Sequence, residues 1–122
     1  MEQKKILVVD DEKDTLTVLE ERLANAGYLV ITAENGRDAI DTAKDQQPDL
    51  ILLDIIMPGM DGGVVARELK GCPETRDIPV IFLTCLFSKE DEREKGRVVG
   101  GNIFIAKPYT KEELLGEIKK FL

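Results

Sequence analysis

The sequence predicts an α/β domain built on a five-stranded parallel sheet covered by helices on both faces. Three observations predict it. Short aliphatic runs recur along the 122 residues, and they alternate with segments of helical periodicity. The runs carry apolar residues consecutively rather than alternately, as strands buried on both faces do. Four of the five end on a polar residue, which places functional groups along one edge of the sheet.

The first strand is Lys5 to Val9, ending at Asp10-Asp11-Glu12. Asp14 can cap the helix that follows, in which Leu16, Leu19, Leu23 and Ala26 repeat at helical spacing. Glu20, Glu21 and Arg22 face away from them, and Gly27 ends the helix. Tyr28 to Ala33 reads as the second strand. After Asn35-Gly36, Asp38 to Lys44 reads as a short helix with Ala39, Ile40 and Ala43 inward, broken at Gln47-Pro48. The third strand, Leu50-Ile51-Leu52-Leu53, stops at Asp54, and a loop through Met57-Pro58-Gly59 follows. A lone aspartate in such a place is more often a turn residue than a reactive group.

The third helix is expected from about Asp61 to Leu69, with Val64, Val65 and Leu69 in the core. Gly62-Gly63 in its first turn weakens it, since an interior glycine costs about 1 kcal/mol relative to alanine. Gly71-Cys72-Pro73 ends it, and Val80 to Thr84 is the fourth strand. Ser88 to Arg97 can open with a capping box (Ser88 with Asp91), yet it carries no apolar face from Lys89 to Arg97. The fourth helix is therefore expected to be short or irregular. Ile103 to Ala106 forms the fifth strand before Lys107-Pro108. Thr110 and Glu113 make a capping box for a last amphipathic helix carrying Leu114, Leu115, Ile118 and Phe121. Right-handed crossovers leave few topologies. The flavodoxin-like doubly wound order 2-1-3-4-5, with about five helices, sets strands one and three side by side at the switch point.

Composition narrows the function. One domain, residues 1–122, fits the length, with 43% hydrophobic residues and no low-complexity segment. Apolar runs are too short to cross a membrane, and the N-terminus does not read as a signal peptide, so a cytoplasmic protein is expected. A net charge of −7, from 24 acidic and 17 basic residues, disfavours direct nucleic-acid binding. Cys72 and Cys85 stand far apart and the chain has no histidine. Zinc binding and a Cys-His nucleophile pair are disfavoured, two reduced thiols fit better than a bridge, and any phosphohistidine must come from another molecule.

The expected topology gathers Asp10 and Asp11, Asp54, Thr84 and Lys107 at one edge. Each pair of carboxylates about 4 Å apart repels by on the order of 4 kcal/mol at an effective dielectric near 20. A hard divalent cation such as Mg2+ relieves that repulsion. With Mg2+ and Lys107 beside it, Asp54 could act as a nucleophile toward a phosphoryl group, with Thr84 donating a hydroxyl hydrogen bond.

ILVVDDE, LLDIIMPGMDG, IFLT and IAKP, in that order along nearly the whole chain, resemble the motifs of the receiver domain of two-component response regulators. The resemblance implies that Asp54 is the phosphoacceptor for a histidine kinase or phosphotransfer protein. It implies that Asp10 and Asp11 bind Mg2+ together with Asp54 and the Ile56 carbonyl. Thr84 then matches the switch hydroxyl, Lys107 the lysine that contacts the phosphoryl group, and Phe104 the aromatic switch residue. A cis Lys107-Pro108 bond is implied too. So is signalling through protein contacts, with a downstream effector or a phosphorylation-dependent homodimer as the output.

This chain departs from the pattern at several positions. Asn102-Ile103 stands in place of an acidic pair, Gly101 and Cys85 in place of alanine, Phe104 in place of the commoner tyrosine, and Gly63 in place of a bulky apolar residue. These departures put a standard output face in doubt and leave the phosphorylation chemistry intact. Ile56 and Leu86, two residues after Asp54 and Thr84, are expected to exclude water and lengthen the life of an acyl phosphate. Two other functions compete with this reading. A Mg2+-dependent aspartyl-phosphate phosphatase of the haloacid dehalogenase type needs a DxD nucleophile on strand one and a cap domain, and Asp10-Asp11-Glu12 lacks that spacing. A receiver that never cycles phosphate and serves only as a scaffold would not need the full acidic, threonine and lysine set. The domain either works alone or belongs to a larger regulator.

Overall fold

A computed structural model describes residues 3–84, 90, 98–99 and 102–122. The elements run β1 Lys5–Val9, α1 Lys13–Asn25, β2 Leu29–Ala33, α2 Gly36–Gln46, β3 Leu50–Asp54, α3 Gly62–Lys70, β4 Val80–Thr84, β5 Val98–Val99, β6 Asn102–Ala106 and α4 Lys111–Lys119. The sheet order is β2-β1-β3-β4-β6-β5. The expected five parallel strands and their 2-1-3-4-5 order are thus present, with β6 as the fifth. The two-residue β5 is an addition: it pairs antiparallel to β6, Val98 opposite Ile103. Two residues carry too little periodicity to be read from sequence. The expected fourth helix, over 88–97, lies outside the described residues apart from Glu90, which is helical.

Consecutive side chains of a strand point to opposite faces, and both faces of β1 and β3 are dry. Leu7, Val9, Ile51 and Leu53 pack toward Ala39, Ile40 and Ala43 of α2 and Val65 and Leu69 of α3. Ile6, Val8, Leu50 and Leu52 pack the other way, toward Leu16, Leu19 and Leu23 of α1 and Leu114 and Ile118 of α4. Burying one such aliphatic side chain stabilises the fold by about 1.5–3 kcal/mol.

Several local expectations need correction. Glu12, not Asp14, occupies the N-cap position of α1, and its side chain makes no capping bond. Ala26 is exposed, because the helix has ended by then. There the amide of Tyr28 donates to the Leu23 carbonyl (3.1 Å) and that of Gly27 to the Ala24 carbonyl (3.0 Å). This pair of bonds is the Schellman closure that the positive φ of Gly27, 99°, makes available. Helix α2 starts earlier than expected because the Asn35 side chain accepts from the Asp38 amide and caps it. In α3, Ala66 is buried while Val64 is only half-buried. Phe121 lies beyond the end of α4 and is 39% exposed.

Candidate functional site

The parallel register carries the site. Val9 is level with Ala33 and Leu53, Asp54 with Leu83, and Thr84 with Ala106. The residues at or just beyond these positions therefore open on one edge. Asp10 continues β1, its amide donating to the Ala33 carbonyl at 3.2 Å. Lys107 continues β6, its amide donating to the Thr84 carbonyl at 2.9 Å. The Lys107-Pro108 bond is cis.

Four of the five residues expected to form the centre converge through their side chains. One carboxylate oxygen from each of Asp10, Asp11 and Asp54 lies within 4.8 Å of the other two. The Lys107 ammonium sits 3.8 Å from Asp10 Oδ2 and 4.0 Å from Asp54 Oδ2. Asp10 Oδ1 accepts from the Glu12 amide (2.9 Å), and Asp54 Oδ1 accepts from the Ile56 amide (3.2 Å). These bonds orient both carboxylates toward the shared space. Asp10 is buried, Asp54 half-buried and Asp11 exposed, so one member of the cluster is open to solvent. The fifth residue, Thr84, ends β4 fully buried. Phe104 is also fully buried, in the core on the α2–α3 side of the sheet. Ile56 is 54% exposed on the loop after Asp54. Leu86 lies outside the described residues.

Electrostatics follow from this crowding. The Asp54 carboxyl is pushed above the usual carboxylate value, first by burial and then by the charges of Asp10 and Asp11; Lys107 and the Ile56 amide oppose the shift. Among the described residues Lys107 is the only cation within ion-pair distance of any of the three carboxylates, and it reaches Asp10 and Asp54. Such a set of hard oxygen donors carries an excess of negative charge and suits a divalent cation.

Two neighbours of the site were not singled out from sequence. The Tyr109 phenol is held above its usual value, chiefly by burial, with Arg22 opposing and Asp10 and Asp54 adding to it. Its position directly after Lys107-Pro108 was the available signal. Gly62, read as a weak point of α3, instead touches the backbone that carries Asp54.

A doubly wound α/β domain with three carboxylates and a lysine at its switch point defines a class of flavodoxin-like domains with an acidic site. The chain belongs to the response regulator receiver domain family, whose sequence model matches residues 6–119. Receiver domains are switches of two-component signalling rather than turnover enzymes. The probable transcriptional regulator ycf27 of Porphyridium aerugineum is 39% identical over 122 residues, which is 100% of this chain and 49% of that protein. The ycf27 of Guillardia theta is 37% identical over 120 residues, 98% of this chain and 46% of that protein. The chain thus spans about half the length of the curated relatives it matches. Among solved structures, the chemotaxis protein CheY4 of Vibrio cholerae superposes with a TM-score of 0.84 at 30% identity, covering 99% of this chain and 100% of that one. The receiver domain of the sensor histidine kinase PA1611 from Pseudomonas aeruginosa also superposes with a TM-score of 0.84, at 32% identity and 98% coverage of both chains. That structure has a magnesium ion coordinated in its active-site cleft.

Proposed function

We propose that residues 1–122 form one receiver domain that is switched by phosphorylation of Asp54. The observation that supports this most directly is the half-buried Asp54 carboxylate flanked by Asp10, Asp11 and Lys107. A carboxylate oxygen of Asp54 forms a bond to phosphorus as the P–N bond of a phosphohistidine breaks. The bonding pair goes to the imidazole nitrogen, which takes up a proton. The phosphohistidine comes from a histidine kinase or phosphotransfer protein, since this chain has no histidine.

The donor set fits Mg2+, with Asp10, Asp11, Asp54 and the Ile56 carbonyl as the residues that would hold it. When bound, Mg2+ neutralises the carboxylates and the charge that develops on the transferring phosphoryl oxygens. Lys107 exchanges its carboxylate partners for a phosphoryl oxygen. The Thr84 hydroxyl moves toward the same group, and Phe104 occupies the core beside that movement without a hydroxyl to satisfy. The switched surface then acts on a downstream effector protein or a second copy of the domain, in the cytoplasm. Among the described residues no helix is long and apolar enough to cross a membrane.

The test is incubation with Mg2+ and acetyl phosphate, followed by intact mass measurement. One added phosphoryl group is expected on the wild type and none on Asp54→Ala. Modification of the alanine variant, or none of the wild type, overturns the proposal. Ile56 and Leu86 are proposed to shield the acyl phosphate from water, so Ile56→Asn and Leu86→Glu should each speed its hydrolysis. An unchanged decay of the phosphorylated mass would rule that shielding out.

A further inference from the structure

Asp54 is followed by a loop, residues 55–61, that returns at Gly62 to the peptide it left. The Gly62 amide donates to the Ile55 carbonyl at 2.8 Å. A Cβ on Gly62 would lie 2.5 Å from the Asp54 carbonyl oxygen and 2.7 Å from the Ile55 Cα. Both are backbone atoms, so neither can turn aside. Near the far end of the loop, Met60 lies against the first residue of α2. A Cβ on Gly36 would meet Met60 Sδ at 2.9 Å and Val65 Cγ2 at 2.7 Å. The demand is local. At Gly63, one residue further along α3, a Cβ would meet only the Asp61 carboxylate, at 3.2 Å.

We propose that Gly62 and Gly36 are positioning residues for phosphoryl acceptance, fixing the two ends of the loop that sets the Asp54 carboxylate and the Ile56 backbone. This rests on the function proposed above. Restoring an ordinary 3.4 Å contact at Gly62 would part the backbones by about 0.9 Å at the peptide that bears Asp54. The same peptide leads to the Ile56 amide, which donates to Asp54 Oδ1 at 3.2 Å. A displacement of roughly 1 Å in a reacting group can cost on the order of a hundredfold in rate. At Gly36 the obstacles are the buried Val65 side chain and the Met60 side chain (Sδ at 2.9 Å, Cβ at 3.0 Å), which bear on the far end of the loop rather than on the Asp54 peptide, so the effect on the rate is smaller.

The experiment compares wild type, Gly62→Ala, Gly36→Ala and Gly63→Ala, each confirmed folded by far-UV circular dichroism. Two readouts are used: the rate of phosphoryl addition from acetyl phosphate across a Mg2+ series, and the Ile56 amide resonance of the metal-free protein by NMR. Gly62→Ala should slow addition about tenfold or more and shift the Ile56 resonance. Gly36→Ala should slow it about threefold. Gly63→Ala, which shares the helix-propensity change without the backbone clash, should match wild type in both. A folded Gly62→Ala or Gly36→Ala with wild-type rate and resonance overturns the proposal, as does an equal loss in Gly63→Ala. If Gly62→Ala does not fold, Gly36→Ala decides. A wild type that accepts no phosphoryl group counts against the proposed function instead, and the Ile56 resonance still tests the geometry.

Discussion

Helices α1 and α4 pack on the same face of the sheet and both begin just past strand ends at the site edge, yet their first turns differ. Helix α4 starts with a complete capping box: Thr110 Oγ1 accepts from the Glu113 amide at 3.0 Å, and the Glu113 carboxylate accepts from the Thr110 amide at 3.2 Å. Asn35 and Asp61 cap α2 and α3 in a simpler way. Helix α1 has no side-chain cap, and the Asp10 carboxylate instead takes the Glu12 amide. Ordinary helix-start chemistry has given way there to the placement of Asp10 and Asp11. A local rule is broken where the chain is committed to a site, and kept where it only has to fold.

The contrast can be broken or sharpened by four measurements. The largest effect is expected from Mg2+, which at a hundred times its dissociation constant should stabilise the fold by about 2.7 kcal/mol, or roughly 10 °C in Tm. Asp11→Ala, at an exposed position, should remove most of that gain while leaving the metal-free Tm nearly unchanged; a full Mg2+ shift in this variant would remove Asp11 from the proposed metal site. Next, Thr110→Ala should lower Tm by about 4 °C, the loss of roughly 1 kcal/mol of capping, without altering the Mg2+ response.

Third comes Asp54→Asn, in metal-free protein. The Asp54 pKa is raised by folding, so its contribution to stability is fully present below the ordinary value of 3.8 and is lost as pH rises through the folded value. The variant should therefore melt above wild type at pH 7, with the difference vanishing in acid. A difference that grows toward acid would reverse the assigned sign. The smallest effect is expected from Glu12→Ala, within about 0.5 kcal/mol, because no cap is lost. A loss as large as that of Thr110→Ala would show that the two helix starts are energetically alike after all.

The same contrast explains what the sequence made legible. Ile6 to Val9 and Leu50 to Leu53 were readable as buried strands because aliphatic residues occur at consecutive positions and both faces are dry. The site was readable because polar residues ended four such runs at once. Asp14 reads as a cap because a row of acidic residues does not show which one begins the helix. Gly62 reads as a weak point because propensity considers one residue at a time, whereas its reason lies in the peptide of Asp54, eight positions earlier. Ala26 and Phe121 continued a helical spacing past the point where the helices stop, at Asn25 and Lys119.

The crossovers between parallel strands have a kinetic consequence. Asp10 and Asp54 meet only after β1 has paired with β3, and Lys107 joins them only after β3 has paired with β4 and β4 with β6. No local hairpin can assemble even two of these groups, so the chain meets the entropy of closing long loops before the site exists. The mutual repulsion of Asp10 and Asp54 is therefore absent until β1 pairs with β3, and the pairing that brings β6 into the sheet adds the Lys107 ammonium that offsets it. The repulsion opposes the joining of β1 to β3 and is eased by the arrival of β6 with Lys107.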